Sequence, residues 1–404
     1  MRPKNLLPFA VLCTVPFILV LGNSMLIPVL PRVRAALHLT QAQTGLFITA
    51  FSVPAGLTIM FVGALSDRIG RKKVMVPCLV TYGVGGIMAA LAALLLERPY
   101  WLILAARVVQ GVGAAGTGPI ATATAGDIFQ SQERTRAVGI LEASNGFGKV
   151  MSPVLGAGAA LVAWWAPFLL FAVLALPAAV GVWALCPEPA RSRRQPTGMR
   201  AYFADLAAAF REKRWSLAAC YAAGAVVLFV LFGVLFYVSD ALEERYRIGG
   251  LAKGVLIAAP VFVMSVTSLL TGFFLERHVT LLKASVVTGL ALVAASLGLL
   301  AFRSGLAWLG ALTAVIGLGS GLVLPSINTM VTSASSGRLR GMVTSVYGAV
   351  RFLGVAAGPP VFGLIMDSRR ASVFVPAAVA AGACALLVLR SLNQKILTPP
   401  QARP

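Results

Sequence analysis

Residues 141–153, LEASNGFGKVMSP, place a carboxylate and an ammonium, Glu142 and Lys149, among alanine, valine, leucine, phenylalanine and glycine. Seven residues are about two helical turns, so the two charges share a face roughly 10 Å apart along the axis, too far to pair directly. Asn145 and Gly146 fall close to that face. An ionised group near a bilayer centre costs about 2.5–3.5 kcal/mol on insertion scales, which turns such a face toward a polar cavity rather than lipid. Burial holds a proton on a carboxylate and a nearby cation releases it, so a cavity of alternating exposure can load and unload a proton. Glu142 is therefore the expected proton-coupling residue. The alternative is that Glu142, five residues past Ala137, reaches cytoplasmic water; Lys149, nearer mid-membrane, has no such escape.

Two further cations lie inside apolar runs, Arg107 in RVVQGVGAA and Arg351 in VYGAVRFLGVAAGPP, and Asn23 stands in LGNSMLIPVLP. With Asn145 and Lys149 they form the expected substrate cavity. Three fixed cations against one carboxylate suit an anionic or neutral substrate. Both arginines have a structural alternative, in which carbonyls or a carboxylate hold them.

Apolar residues make up 58% of the 404-residue chain and charged residues only 12%, with a mean hydropathy of +0.87. That composition belongs to a membrane protein rather than a soluble domain. A span needs roughly 20 mostly apolar residues. Such windows occur at 8–30, 42–64, 74–96, 100–126, 137–162 and 166–186, then at 216–239, 251–275, 284–302, 306–331, 342–366 and 373–391. The expected fold is all-α and integral to the membrane, with twelve transmembrane helices in two six-helix bundles.

The net charge of +21 suggests nucleic acid until the charges are sorted by side. Alternate loops, with the window-edge residues Lys253 and Arg390 counted among them, give 22 of the 34 Lys and Arg to the side that holds the N-terminus and 9 to the other, with Arg107, Lys149 and Arg351 inside spans. The positive-inside rule then makes both termini cytoplasmic and explains most of the basicity without nucleic acid. Arg2 and Lys4 precede a run too long for a signal peptide and lacking a small-residue cleavage site, so it reads as an uncleaved first helix. Five cysteines (Cys13, Cys78, Cys186, Cys220, Cys384) occur singly without metal or redox spacing, and His38 and His278 lie near loops, so neither a metal nor a cofactor is expected.

Residues 187–214 are the longest polar stretch. They divide the chain into an N-terminal bundle at 1–186, a cytoplasmic linker at 187–215 and a C-terminal bundle at 216–404. In the linker Met199, Tyr202, Phe203, Leu206 and Phe210 recur at helical spacing opposite Arg200, Arg211, Lys213 and Arg214, which suits an amphipathic surface helix; a solvated tether is the alternative. The halves retain faint self-similarity: ERTRAVG echoes GRLRGMV, and GKVMSP (148–153) echoes GVAAGP (354–359, with Gly354, Gly358 and Pro359). Internal repeats around a central pathway are a transporter architecture.

Residues 63–75, GALSDRIGRKKVM, carry five charges between two spans, with Gly63 and Gly70 read as turn glycines. The stretch resembles the loop between helices two and three of the major facilitator superfamily, Gly-x-Leu-x-Asp-Arg-x-Gly-Arg-Lys, at Gly63, Leu65, Asp67, Arg68, Gly70, Arg71 and Lys72. RVVQGVGAA resembles the same family's Arg-x-x-Gln-Gly-x-Gly motif at Arg107, Gln110, Gly111 and Gly113. Asp127 then corresponds to the acidic group that in relatives pairs with the loop arginines, here Arg71. The glycines of residues 111–116, GVGAAG, also match a dinucleotide fingerprint, but mid-membrane they serve close helix contact instead. GKVMSPVLGA resembles the antiporter-associated motif of family exporters at Gly148, Pro153 and Gly156, with Ser152 and Ala157 in place of two glycines. Gly148, Ser152 and Gly156 make a stripe where another helix can come close.

The resemblance implies a twelve-helix drug:proton antiporter, monomeric, in a cell (inner) membrane. The first expectation is proton-coupled export of drug-like or lipophilic molecules, with export of an anionic metabolite such as a siderophore as the alternative. A membrane enzyme would need a nucleophile with its base or a metal cluster, and a sensor would need an output domain; the sequence offers neither.

Overall fold

The computed structural model describes residues 6–129, 131–188, 199–335, 337–366 and 369–398. Among these residues the regular structure is entirely helical. The helices are α1 (Leu6–Ser24), α2 (Leu30–Leu37), α3 (Gln41–Ile69), α4 (Arg71–Leu95), α5 (Tyr100–Ala114), α6 (Gly118–Ile128), α7 (Ser131–Val162) and α8 (Ala166–Leu185). They continue with α9 (Met199–Glu244), α10 (Gly250–Arg277), α11 (Leu282–Phe302), α12 (Leu306–Ser333), α13 (Gly337–Ile365), α14 (Arg370–Ser391) and the short α15 (Gln394–Leu397). Lipid offers backbone groups no hydrogen-bond partner, so a chain this apolar must satisfy them inside helices. Internal prolines such as Pro54, Pro153 and Pro260 lie within these helices, as lipid-spanning helices allow.

Among the described residues ten helical stretches are long and apolar enough to cross a membrane. The two other expected spans are helical as well. The window at 100–126 is interrupted between Ala114 and Gly118, because Pro119 lacks an N–H and its ring collides with a preceding carbonyl, so Thr117 leaves helical geometry at φ −104° and ψ −89°. The window at 137–162 falls inside α7, whose polar residues include Glu142, Asn145 and Lys149.

The chain forms two compact units, Met1–Arg194 with Val238–Ala258, and Gln195–Tyr237 with Ala259–Pro404. Compared with the sequence division at 187–215, one segment differs: the end of α9 and the start of α10 belong to the first unit. Residues 189–198 of the linker, and the side chains of 199–212 with Met199, Tyr202, Phe203, Leu206 and Phe210, lie outside the described residues. The backbone from Met199 is helical and joins the following span across a kink at Lys213 (φ −114°, ψ 19°).

In the first unit α4 packs on α5 and α8, α1 on α7 and α8, and α3 on α5. Small residues set these distances. A side chain at Gly111 would run into the Phe51 carbonyl, one at Gly113 into the Tyr82 amide, and one at Gly156 into the Met25 carbonyl. The GVGAAG run is thus a packing surface for α3 and α4. In the second unit α11 packs on α12 and α14, and Gly354 and Gly358 bring α13 against the α9 carbonyls of Ala225 and Phe229.

Candidate functional site

Arg107 projects from α5 into the interior of the first unit and is wholly buried. Its Nε donates to the Phe47 carbonyl at 3.1 Å, one terminal nitrogen to Gln110 Oε1 at 2.5 Å and the other to the Gly22 carbonyl at 2.5 Å. The Phe51 ring lies 4.6 Å and the Phe171 ring 5.5 Å from its guanidinium carbon. Carbonyls from α1 and α3 and two aromatic faces therefore hold the cation. Beside it, buried Asn23 donates through Nδ2 to Ser52 Oγ at 2.9 Å, tying α1 to α3.

Along α7 the residues divide by depth. Glu142 is exposed, Lys149 and Asn145 are part-buried, and Asn145 donates to the Pro16 carbonyl at 3.3 Å. The Gly148–Ser152–Gly156 stripe is buried and Pro153 with it: α1 approaches at Gly148 through Phe17 and Val20, and the Met25 carbonyl abuts Gly156. Gly254 of α10 approaches the Pro153 carbonyl on the same helix.

The charged loop is built around Gly70, whose φ of 119° ends α3 and starts α4 in one residue, a conformation that L side chains rarely adopt. Gly63 lies inside α3 instead, with open space where a side chain would stand, so the turn belongs to Gly70 alone. Arg71 gathers the local acceptors: Nη1 meets Asp67 Oδ1 at 2.6 Å and Ser66 Oγ at 2.8 Å, and Nε meets Asp127 Oδ2 at 3.1 Å. Arg68 is exposed. Glu188 caps the start of α4 by accepting from the Lys72 amide at 3.1 Å.

A second charged cluster escapes the sequence analysis. Arg34 of α2 pairs with Asp240 at 3.0 Å and with Glu244, Arg32 pairs with Glu243 at 3.5 Å, and Gln41 donates to Asp240 at 2.9 Å. Lys253 of α10 reaches Glu243 at 2.5 Å and is almost wholly buried, 1% exposed. Charge counting by side places Lys253 in a loop. Its position three residues into an apolar helix is the available signal.

In the second unit Arg351 stands on α13, part-buried, with its guanidinium carbon 5.5 Å from the Tyr347 ring. Tyr347 is buried and stacks on Tyr221 of α9, ring centres 5.7 Å apart. Pro359 is part of the same helix, beyond the Gly354 and Gly358 contacts.

The family model of the Major Facilitator Superfamily matches residues 12–359 and, in a second overlapping match, 241–403. The chain belongs to this superfamily. It is 37% identical over 387 residues to a bacillibactin exporter of Bacillus subtilis (strain 168), covering 95% of this chain and 96% of that one. It is 27% identical to the class C tetracycline resistance protein of Escherichia coli, over 84% of each chain, and 25% identical to the multidrug efflux protein YfmO of B. subtilis, over 92% and 88%. Among solved structures a mutant of the nucleoside transporter NupG superposes with a TM-score of 0.76 at 14% identity, over 96% of this chain and 100% of that one, which shows the fold alone. The superfamily chain is thus a multi-pass, all-α membrane transporter for small molecules, of the efflux type, and not an enzyme.

Proposed function

We propose that this chain is a proton-coupled exporter of anionic small molecules, of which a siderophore is an example, residing in a cell membrane with both termini cytoplasmic and acting as a monomer. The full-length similarity to a bacillibactin exporter carries the export reading. The anionic class is supported by the fixed cations Lys149 and Arg351, because a transport pathway that holds cations in low dielectric favours substrates of opposite sign.

Glu142 is the coupling residue in this reading. Substrate competes with the proton either for the carboxylate or for the conformation it stabilises. In this reading Lys149, Asn145 and Arg351 are the polar groups that meet the substrate, while Asn23 and Arg107 tie α1, α3 and α5 together. The six-helix halves at 1–186 and 216–404 in this reading alternate access by rocking. The loop Gly63–Lys72 with Asp127, and the stripe Gly148, Ser152, Pro153 and Gly156, serve as the elements that change partners during the cycle.

A second reading, export of drug-like or lipophilic compounds, is favoured by the tetracycline resistance and multidrug efflux relatives. The test is pH-gradient-driven transport in inverted vesicles, with an anionic and a cationic dye, comparing the native protein with Glu142→Gln. Gradient-driven uptake of the anionic dye that Glu142→Gln abolishes supports the proposal. Uptake of the cationic dye alone selects the second reading, and a variant that keeps its gradient response removes Glu142 as the coupling site.

A further inference from the structure

Among the described residues, three polar atoms on one face of α13 have no hydrogen-bond partner: Thr344 Oγ1, Tyr347 Oη and Arg351 Nε. Their spacing of three and four residues confines them to about a 60° arc of the helix and roughly 10 Å of its length. All three can donate. A buried donor left unpaired is costly, and native folds rarely leave such groups together without a use.

Among the described residues the cation in this group lacks a counter-charge. The α13 sequence contains no carboxylate, and among the described residues no acidic side chain forms an ion pair with Arg351. The neighbouring groups are placed rather than loose: Tyr347 is wedged beneath Gly224, where a Cβ would stand 2.6 Å from the ring, and stacks on Tyr221. Gly354, one turn further, presses α13 onto the Ala225 carbonyl and fixes its rotation.

We propose that Thr344, Tyr347 and Arg351 form a subsite for an oxyanion of the transported molecule, a carboxylate or phenolate, with Arg351 supplying the charge and the two hydroxyls the remaining donors. A planar guanidinium fork matches such a group, and charge-assisted hydrogen bonds are strongest where water is excluded. The inference rests on the exporter reading and names the part of the substrate that is recognised.

The test is equilibrium binding, by fluorescence polarisation, of fluorescein and rhodamine 123 to the purified full-length protein, since the two dyes share a ring system and differ in charge. Arg351→Gln is expected to weaken fluorescein binding about tenfold or more and rhodamine 123 less than about twofold. Arg351→Lys should fall between, keeping the charge and losing the fork, and Tyr347→Phe and Thr344→Val should each weaken fluorescein about two- to tenfold. The lysine and phenylalanine variants carry the test if Arg351→Gln does not fold. Equal loss of both dyes, no loss of either, or a native protein that does not bind fluorescein overturns the subsite. Gradient-driven transport separates this from the exporter reading: selective binding of fluorescein without transport retains the subsite and overturns the exporter, and gradient-driven fluorescein transport with equal loss of both dyes in Arg351→Gln does the reverse.

Discussion

Arg107 and Arg351 are both arginines set inside apolar helices, and the sequence offers the same two roles for each. Their surroundings differ. Arg107 is wholly buried, gives hydrogen bonds to two backbone carbonyls and Gln110, and lies against Phe51 and Phe171. Arg351 is part-buried and, among the described residues, has no partner for Nε, and it sits beside two hydroxyls that have none there either. A cation whose donors are spent on its own fold holds helices together. One whose donors are unspent has binding capacity left for a ligand, and the difference lies in the acceptors presented by neighbouring helices.

The largest effect is expected at Arg107. Arg107→Leu should strand the Gly22 and Phe47 carbonyls and cost more than about 3 kcal/mol, read as loss of monodisperse protein or a large fall in Tm. Arg107→Lys should recover only part of this, because a single ammonium does not span the same three acceptors. Helix contact comes next: Gly156→Val drives a side chain into the Met25 carbonyl, and should abolish transport and lower Tm by an amount corresponding to about 1–3 kcal/mol. Lys253 offers a third case, a buried cation with its carboxylate in place. A double-mutant cycle of Lys253→Met with Glu243→Gln should show coupling of about 1–3 kcal/mol, the double variant being less destabilised than the sum of the two single ones.

The smallest stability effects are expected where charges meet water. Arg71→Ala should change stability by less than about 1 kcal/mol, since Asp67 and Asp127 are exposed and solvent screens the pairs, while transport rate falls if the loop acts in the conformational cycle. Arg351→Gln should leave Tm within a few degrees of the native protein, which is the sharpest contrast with Arg107→Leu. A fall in Tm as large as that of Arg107→Leu would place both arginines in the same structural class.

Much of this architecture is legible in the chain. Hydropathy periods long enough to span lipid mark the transmembrane helices, because each segment must satisfy its own backbone regardless of its neighbours. Gly70 and the charges around it are equally visible, since a turn between two spans is a local event. Gly63, by contrast, reads as part of that turn and lies within α3. The interruption of the fourth span at 115–117 is signalled by Pro119, but the surrounding apolar run masks it. Lys253 looks like a loop cation, and only folding shows it buried against Glu243.

What the sequence determined by itself is the class of molecule: composition, span lengths and the loop motif depend on local chemistry and on the solvent, and these do not need the partners of each helix. What tertiary structure alone decided is the role of each buried charge. Arg107, Arg351 and Lys253 bring the same kind of group to the interior, and their differences arise from carbonyls, rings and carboxylates that the folded chain sets around them. A buried charge takes its energy from the groups within a few ångströms of it, and spacing along one helix does not specify which groups those are.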